Sequence, residues 1–412
     1  MSHPRLTART AVVVFLAFAS AYFISAMVRA VTATLAPTLF AELNLQARDL
    51  GLLAGGYSIG FAATQLPLGR WLDRHGPKRV ILSFLTLAVA GCALFALAKD
   101  FAGLLAARML TGAGVSACLM APLTGFRRWV RPEMQFRINS WMLMTGSLGM
   151  LASTLPVQWL LPVVGWRGVF WGLTGGVLLA MAAIALVTPR WSREGGHAAL
   201  TAEAGRPPGY REVWRHAYFR RMAPIGFFNF GGMVAVQTLW AGPWMVEVCG
   251  YTPAQAATGL FGLNLMMLMA FWLWGTFNPW LARRGWSIDR LMAWGVPLSL
   301  GVLALTIVLG PAGGWLGVAA FCVAGTFSAQ AQPAVGMAFP AHMAGRALSA
   351  FNLLIFAGIF SAQWAIGLLI DAFTAGGWSR ASAFQGAMAV CWGVFALSYA
   401  VHRSTKAHNS PP

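Results

Sequence analysis

Long apolar runs, each close to the length of a membrane-spanning helix, recur along the whole chain. About 20 predominantly apolar residues are needed for a helix to cross the hydrocarbon core of a bilayer. Twelve such runs lie near residues 11–38, 48–69, 79–98, 101–125, 139–162, 167–188, 222–246, 254–280, 289–310, 313–338, 346–370 and 384–401. This pattern predicts an all-α membrane protein with twelve transmembrane helices surrounded by the lipid bilayer.

The composition excludes a soluble enzyme or binding module. Hydrophobic residues make up 58% of the 412 residues and charged residues only 10%, against about 25% charged residues in soluble domains. The five cysteines lie far apart and form no Cys/His cluster, so neither a disulfide framework nor a metal site is indicated. Catalytic signatures are absent as well, and we expect no enzyme activity and no cofactor.

The basic residues predict the orientation of the chain in the membrane. With the N-terminus inside, 23 of the 29 Lys and Arg residues fall in cytoplasmic segments and four fall on the other side. Such a bias in mostly short loops follows the positive-inside rule. The net charge of +18 therefore reflects topology and does not indicate nucleic acid. We expect a bacterial-type inner membrane protein with both termini in the cytoplasm.

The longest polar segment divides the chain in half. It predicts an N-terminal six-helix bundle at 1–188, a cytoplasmic linker at 189–221, and a C-terminal six-helix bundle with a short tail at 222–412. Within the linker, apolar side chains recur at helical spacing opposite Arg211 and Arg215, namely Tyr210, Val213, Trp214 and Ala217. This spacing is typical of a short helix that lies on the membrane surface.

The two halves share short similarities in the same order. Trp71-Leu72-Asp73-Arg74-His75-Gly76 after the second run corresponds to Trp280-Leu281-Ala282-Arg283-Arg284-Gly285 after the eighth. Arg137 precedes Gly149 by 12 residues, and Arg346 precedes Gly358 by the same interval. These matches favour an internal duplication, which is the parallel-repeat architecture of many secondary transporters.

The most specific motif is the loop after the second run. Gly69-Arg70-Trp71-Leu72-Asp73-Arg74-His75-Gly76-Pro77-Lys78-Arg79 resembles the signature loop of the major facilitator superfamily, and Arg108, Gly112 and Gly114 resemble its second motif. The resemblance covers essentially the whole chain. It implies two pseudo-symmetric bundles that rock around a site near the bilayer midplane.

The resemblance also implies which residues control the conformational change. These gating residues are Gly69, Asp73, Arg74, Gly76, Arg108 and Arg346. Gly69 is expected to allow close helix approach and Gly76 a sharp turn. Because Ala282 replaces the aspartate in the second copy, we expect an asymmetric latch of Asp73 against the start of the eleventh helix near Arg346. The alternative is that Asp73 only caps its own loop.

Arg29 is the main candidate for substrate binding. An arginine at helix-centre depth costs about 2.5–3.5 kcal/mol on insertion scales, so it usually faces a cavity or a partner. It shares a helical face with Tyr22, Ser25 and Thr32. Its spacing before Pro37 is similar to that of the first-helix arginine in organic-anion branches of the family. The alternative is a structural arginine that binds neighbouring carbonyls.

Uncharged polar and aromatic side chains within the other runs complete the predicted site. They are Tyr57, Asn229, Gln237, Trp240, Gln330, Asn352 and Gln363. Gln237 takes the place where anion branches tend to offer a second arginine, which argues against a dianionic phosphate ester. For each amide, an interhelical hydrogen bond is the alternative to substrate contact.

The acidic residues are as informative as the basic ones. All eleven are predicted to lie in loops or at helix ends, whereas transporters of cationic drugs and dedicated proton or sodium sites usually have an embedded carboxylate. We therefore expect a secondary transporter of a small organic anion, with a carboxylate as the favoured class, acting as a monomer. The alternatives are efflux of neutral or amphipathic compounds and a transporter-derived sensor.

Overall fold

The first half of the chain forms six long helices. The computed structural model describes residues 6–130, 132–189 and 210–405. The six helices are α1 (Ala8–Leu43), α2 (47–75), α3 (77–97), α4 (Phe101–Val115 and Ala117–Trp129), α5 (Pro132–Ala152 and 155–164) and α6 (166–187). The helices α2 and α3 form one helical stretch, Ala47–Leu97, which is broken at Gly76. The last part of α5 and α6 form a second such stretch, Leu155–Val187, which is broken at Gly165. Gly76 and Gly165 have φ values of 77° and 64°, which glycine adopts without strain.

Six further helices follow the linker. They are α7 (Ala217–Pro224, Gly231–Ala235 and Ala241–Glu247), α8 (Pro253–Arg283), α9 (Ile288–Leu309), α10 (Gly314–Ala329 and Ala331–Met337), α11 (Ala341–Ala375) and α12 (Arg380–Ser404). Two π-helical segments, Ile225–Phe230 and Val236–Trp240, join the three parts of α7. Short π-helical segments are frequent at functional sites.

The predicted fold class is confirmed: the described residues form twelve helices in two six-helix bundles. Nine stretches within these residues are long and apolar enough to span a membrane, and one of them, Ile288–Met337, contains both α9 and α10. The predicted boundaries were less accurate. The fifth helix begins at Pro132, seven residues before the predicted start, because the polar segment Gln135–Ser140 continues the helix beyond the apolar run.

The starts of α1, α3, α5, α7, α9 and α11 lie at one end of the molecule together with the linker helix, Tyr210–Arg215, and we call this the basic end. The loops at the other end, which we call the opposite end, follow α1, α3, α5, α7, α9 and α11. Most of the predicted linker, 190–209, lies outside the described residues. Its last part forms the linker helix, Tyr210–Arg215, in which Val213 is fully buried and the Tyr210 hydroxyl donates to the Leu66 carbonyl of α2 at 3.3 Å. The linker helix therefore packs on protein, while its contact with a membrane surface stays a prediction.

Equivalent glycines make equivalent contacts in the two bundles. A side chain at Gly149 of α5 would collide with the Phe23 carbonyl oxygen of α1, and one at Gly358 of α11 with the Phe227 carbonyl oxygen of α7. These are the glycines that follow Arg137 and Arg346 at the same interval. The shared packing at corresponding helices supports the duplication that the sequence predicts.

The two bundles meet mainly along two helix pairs. In one pair, Gly242 of α7 approaches the Ala33 carbonyl oxygen of α1, where an added Cβ would lie only 2.6 Å away. In the other pair, α2 packs antiparallel against α11, with Gly51 against the backbone of Gln363 and the rings of Phe61 and Phe356 stacked 4.0 Å apart. We call this contact between the bundles the seam.

We expect Gly358→Ala to destabilise the protein by about 1–3 kcal/mol, because the added methyl group would push α11 away from α7. The measurement is the thermal unfolding midpoint of purified protein. Gly393→Ala on α12 is the matched control, since no atom lies within 4 Å of its added Cβ. It should leave the midpoint unchanged or slightly higher, and equal loss in both variants would contradict the packing argument.

Candidate functional site

Arg29 lies well inside the N-terminal bundle. It is 14 residues before Leu43, the last residue of α1, which corresponds to about 21 Å along the helix. The side chain is half-buried, and its Nη2 lies 3.7 Å from the Met150 sulfur of α5. Within the described residues, Arg29 forms no ion pair and its buried Nε has no hydrogen-bond partner. The structure thus leaves much of this guanidinium available to a ligand.

Arg108 of α4 is more completely enclosed. It is 1% exposed, and its Nη1 donates to the Val28 carbonyl of α1 at 3.0 Å. The guanidinium also lies over the Tyr57 ring, 5.2 Å from the centroid. Gly112 makes this arrangement possible, because any side chain there would collide with the Tyr57 carbonyl oxygen. One end of Arg108 is therefore structural, although its Nε finds no partner among the described atoms.

The other candidates of the N-terminal bundle surround these two arginines. Tyr22 packs against Gly146 of α5 and lies in the field of Arg29. The Tyr57 ring lies under the Arg108 guanidinium, and its hydroxyl lies beside Ser25 in the field of both arginines. Thr32 is buried one turn further along α1. The result is a cluster of two cations and neutral hydroxyl groups, which attracts an anion.

The carboxylates with described contacts lie at helix ends, away from this cluster. Six of them make hydrogen bonds or ion pairs there: Glu42, Asp49, Asp100, Glu247, Asp289 and Asp371. Glu247, for example, is 3.7 Å from Arg380. The positive field around Arg29 and Arg108 is therefore not neutralised by these groups.

In the C-terminal bundle, the second π-helical segment of α7 carries Gln237 and Trp240. Gln237 Nε2 donates to Asn264 Oδ1 of α8 at 3.1 Å, and Trp240 Nε1 donates to the Gln363 carbonyl of α11 at 3.1 Å. All of these side chains are buried to more than nine-tenths. This segment therefore fixes α7 to two neighbouring helices at once.

The side-chain oxygen of Gln363 lacks a hydrogen-bond donor among the described residues. The Thr238 hydroxyl donates to the Val234 carbonyl at 2.7 Å, so its oxygen accepts a hydrogen bond from Gln363 Nε2 at 3.2 Å. This arrangement sets the orientation of the amide. The buried Oε1 of Gln363 is then left without a partner among the described residues.

The two bundles place Arg29 and Gln237 at the same depth. Ala33 and Gly242 are in contact, and Arg29 precedes Ala33 by four residues while Gln237 precedes Gly242 by five. Both helices run from the basic end to the opposite end, so the two side chains differ in depth by only about 2 Å.

Three amides that were predicted to contact the substrate make hydrogen bonds to other helices. Asn229 donates to the Phe395 carbonyl at 3.2 Å and accepts from Ser398 at 3.0 Å, both on α12. Gln330 accepts from Asn278 of α8. Asn352 donates to Gln65 at 2.7 Å across the seam. These bonds are the interhelical alternative to substrate contact, and a substrate role for the three amides stays a prediction.

The predicted gating residues have different surroundings. Gly76 forms the sharp turn between α2 and α3, as expected. The expected close approach at Gly69 is wrong for this structure, because no atom lies within 4 Å of an added Cβ. Arg74 is exposed, and the Asp73 side chain lies outside the described part of the structure.

Arg346 lies beside the linker helix at the basic end. Burial raises the pKa of Tyr210, and the nearby charges of Arg346 and Arg70 oppose that rise. Tyr210 therefore lies between the end of α2 and the start of α11. The predicted contact of Asp73 with this region stays a prediction.

Several residues that sequence reasoning missed contribute to this arrangement. They are Gln65, Met150, Thr238, Asn264, Asn278 and Asp371. Single amides inside apolar runs, such as Gln65 and Asn264, were the available signal. Met150 and Asp371 could be recognised only through their partners on other helices.

Comparison with known proteins finds relatives among membrane transporters. The probable sulfoacetate transporter of Cupriavidus necator is 26% identical over 254 residues, covering 57% of each chain. The hexuronate transporter of Escherichia coli K12 is 24% identical over 256 residues, covering 62% of this chain and 52% of that transporter. The chain thus spans just over half the length of these curated relatives.

The structural likeness extends over nearly the whole chain. A bacterial homologue of the human lysosomal transporter Spinster, solved in an inward-facing and unoccupied conformation, superposes with a TM-score of 0.82 at 16% identity, covering 97% of this chain and 98% of that one. This likeness shows the fold. The family model of the Major Facilitator Superfamily matches residues 18–363. The chain therefore belongs to the Major Facilitator Superfamily of membrane transporters.

Proposed function

We propose that the protein is a secondary transporter that moves a small organic anion, with a carboxylate as the favoured class, by alternating access. The observation that carries this proposal is the pair Arg29 and Arg108. Both lie inside the N-terminal bundle, and neither has an acidic partner within the described residues. The relatives named for sulfoacetate and hexuronate transport are consistent with an anionic substrate.

The energetic argument concerns the unsatisfied donors. Each guanidinium has an Nε that is buried without a partner among the described residues, and an unsatisfied buried donor costs about 1–3 kcal/mol, more when it is charged. A carboxylate removes that cost, because its two oxygens match the planar fork of an arginine. Arg29 is the better anchor, since Arg108 already binds the Val28 carbonyl. Tyr22, Ser25, Thr32 and Tyr57 would form the polar surroundings.

Alternating access requires that the two ends of the seam open in turn. In this structure α1 meets α7 at Gly242, and α2 meets α11 at Gly51 and Gly367. These contacts lie toward the opposite end and hold it closed. We propose that the basic end faces the cytoplasm of a bacterial-type cell, as the positive-inside bias indicates.

The alternative function, efflux of neutral or amphipathic compounds, requires a different role for Arg29. In that case Arg29 would be structural and its donors would be satisfied by neighbouring carbonyls or acids. The one side-chain contact described for its guanidinium is the Met150 sulfur at 3.7 Å, a weak acceptor. The geometry therefore favours the anion.

The first test is substitution of Arg29. A thermal-shift screen of organic acids, amino acids and lipophilic cations would identify a ligand. Arg29→Ala should then weaken the binding of that ligand by about 10–100-fold, the loss expected for a hydrogen bond to a charged group. Arg29→Lys should retain partial binding, because the charge remains but the bidentate fork is lost. The affinity is measured by calorimetry on purified protein.

Tyr399→Phe on α12 is the matched control for this test. It removes the hydrogen bond to the Ala293 carbonyl of α9 and lies outside the predicted site, so it should lower the unfolding midpoint while leaving the affinity unchanged. Unchanged affinity in Arg29→Ala would contradict the anion proposal. A screen that finds only lipophilic cations would also contradict it.

The second test concerns energy coupling. Entry of one negative charge into a cell costs about 2.3 kcal/mol per 100 mV of inside-negative potential, so uptake needs a compensating ion. Glu247 is paired with Arg380, and Asp371 accepts two backbone hydrogen bonds. Neither offers an obvious proton site, so we favour exchange or export. In proteoliposomes, unlabelled internal substrate should stimulate uptake of labelled substrate more than an imposed pH gradient does.

A specific result would overturn this view of coupling. Strong acid-driven uptake without counterflow would show that the protein carries a proton. If Glu247→Gln abolished that uptake, Glu247 would be the coupling carboxylate in spite of its ion pair with Arg380.

A further inference from the structure

Asp371 lies near the end of α11, directly opposite the start of α2. Its Oδ1 accepts a hydrogen bond from the Ala47 backbone N–H at 3.1 Å, and its Oδ2 accepts one from the Arg48 N–H at 2.9 Å. The two chain segments are separated by more than 320 residues and belong to different bundles. A carboxylate of the C-terminal bundle thus caps a helix of the N-terminal bundle.

The other donors at the start of α2 are satisfied locally. The N–H groups of Asp49 and Leu50 both donate to the Gln46 carbonyl at 3.1 Å, and the Gln46 N–H donates to the Asp49 side chain at 3.0 Å. Only the N–H groups of Ala47 and Arg48 depend on Asp371. A helix start leaves such donors unsatisfied unless an outside acceptor binds them, and here that acceptor lies across the seam.

Close backbone packing surrounds this contact. A side chain at Gly367, one helical turn before Asp371, would collide with the backbone of Ala47 and approach Arg48. Gly51 makes the corresponding approach from α2 toward Gln363. Further out, the Arg380 guanidinium lies over the Phe40 ring at 5.5 Å. The Asp371 contact therefore requires the bundles to be closed at the opposite end.

We propose that Asp371 is the latch of the opposite end, which holds α2 and α11 together in the state shown here and releases them when that end opens. The carboxylate also lies at the positive end of the α2 helix dipole, which favours the closed contact. It is the counterpart of the latch predicted for Asp73 on the same helix pair at the basic end. The inference rests on the alternating access proposed above but requires no knowledge of the substrate.

The test measures distances across both ends by pulsed electron resonance on spin-labelled full-length protein in nanodiscs. The background replaces the five cysteines. One label pair, Lys99→Cys with Ala375→Cys, spans the opposite end, and the other, Met134→Cys with Arg283→Cys, spans the basic end. All four positions are exposed.

We expect Asp371→Asn to raise the ratio of open to closed distances at the opposite end about tenfold, the lower range for losing a hydrogen bond to a charged group. The distances at the basic end should shorten in the same variant. Asp73→Asn should shift both pairs the opposite way, and the double variant should lie between the two single variants.

Asp100→Asn is the matched control. Asp100 caps its own helix at the same end of the molecule, where it accepts from the Gly103 N–H at 2.7 Å, but it makes no described contact across the seam. It should leave both distance distributions unchanged. Asp371→Ser, whose shorter side chain offers a single oxygen acceptor, is the second variant if Asp371→Asn does not fold, and it should shift the distances in the same direction.

The latch is overturned if Asp371→Asn, or Asp371→Ser in its place, lowers the unfolding midpoint but leaves both distance distributions as in the parent. Asp371 would then be only a stabilising helix cap. A failure of the anion proposal would not affect this experiment, because no ligand is added.

Discussion

Close backbone contact between helices, made possible by glycine, underlies the arrangement of this protein. Inside a bilayer the lipid tails are as apolar as the side chains, so helices associate through packing and hydrogen bonds and not through the hydrophobic effect. Gly112 brings α4 to α2, Gly149 brings α5 to α1, and Gly358 brings α11 to α7. These contacts also position polar side chains, as Gly112 does when it packs on the Tyr57 backbone beside Arg108.

In this packing arrangement, the carboxylates with described contacts and the two buried arginines lie in different parts of the protein. The carboxylates with described contacts pair at the helix ends, as Glu247 does with Arg380, whereas Arg29 and Arg108 lie inside the N-terminal bundle and form no ion pair within the described residues. The C-terminal bundle presents neutral amides at the same depth, with Gln237 bonded to Asn264. The polar interior is therefore cationic on one side and neutral on the other.

The two halves of the chain resemble each other more in their helix packing than in their charged residues. The glycines of α5 and α11 make equivalent contacts, but the aspartate of the first signature loop is replaced by Ala282 in the second. Asp371 supplies a carboxylate to the α2–α11 pair at the other end of the molecule. The Asp371 contact thus belongs to the opposite end, while a matching contact of Asp73 at the basic end stays a prediction.

The sequence by itself determined the twelve helices and their division into two bundles, because apolar length and repeat spacing are local properties. It also indicated Arg29 as a cation within an apolar run, and its role in substrate binding stays a prediction. Only the tertiary structure decided which polar groups meet. Asn229 bonds to α12, 166 residues away, and Asp371 caps α2 across the seam. The π-helical segments of α7 were not predicted from the sequence either. Hydrogen bonds in a membrane interior join groups that are distant in the chain, and no local pattern specifies their partners.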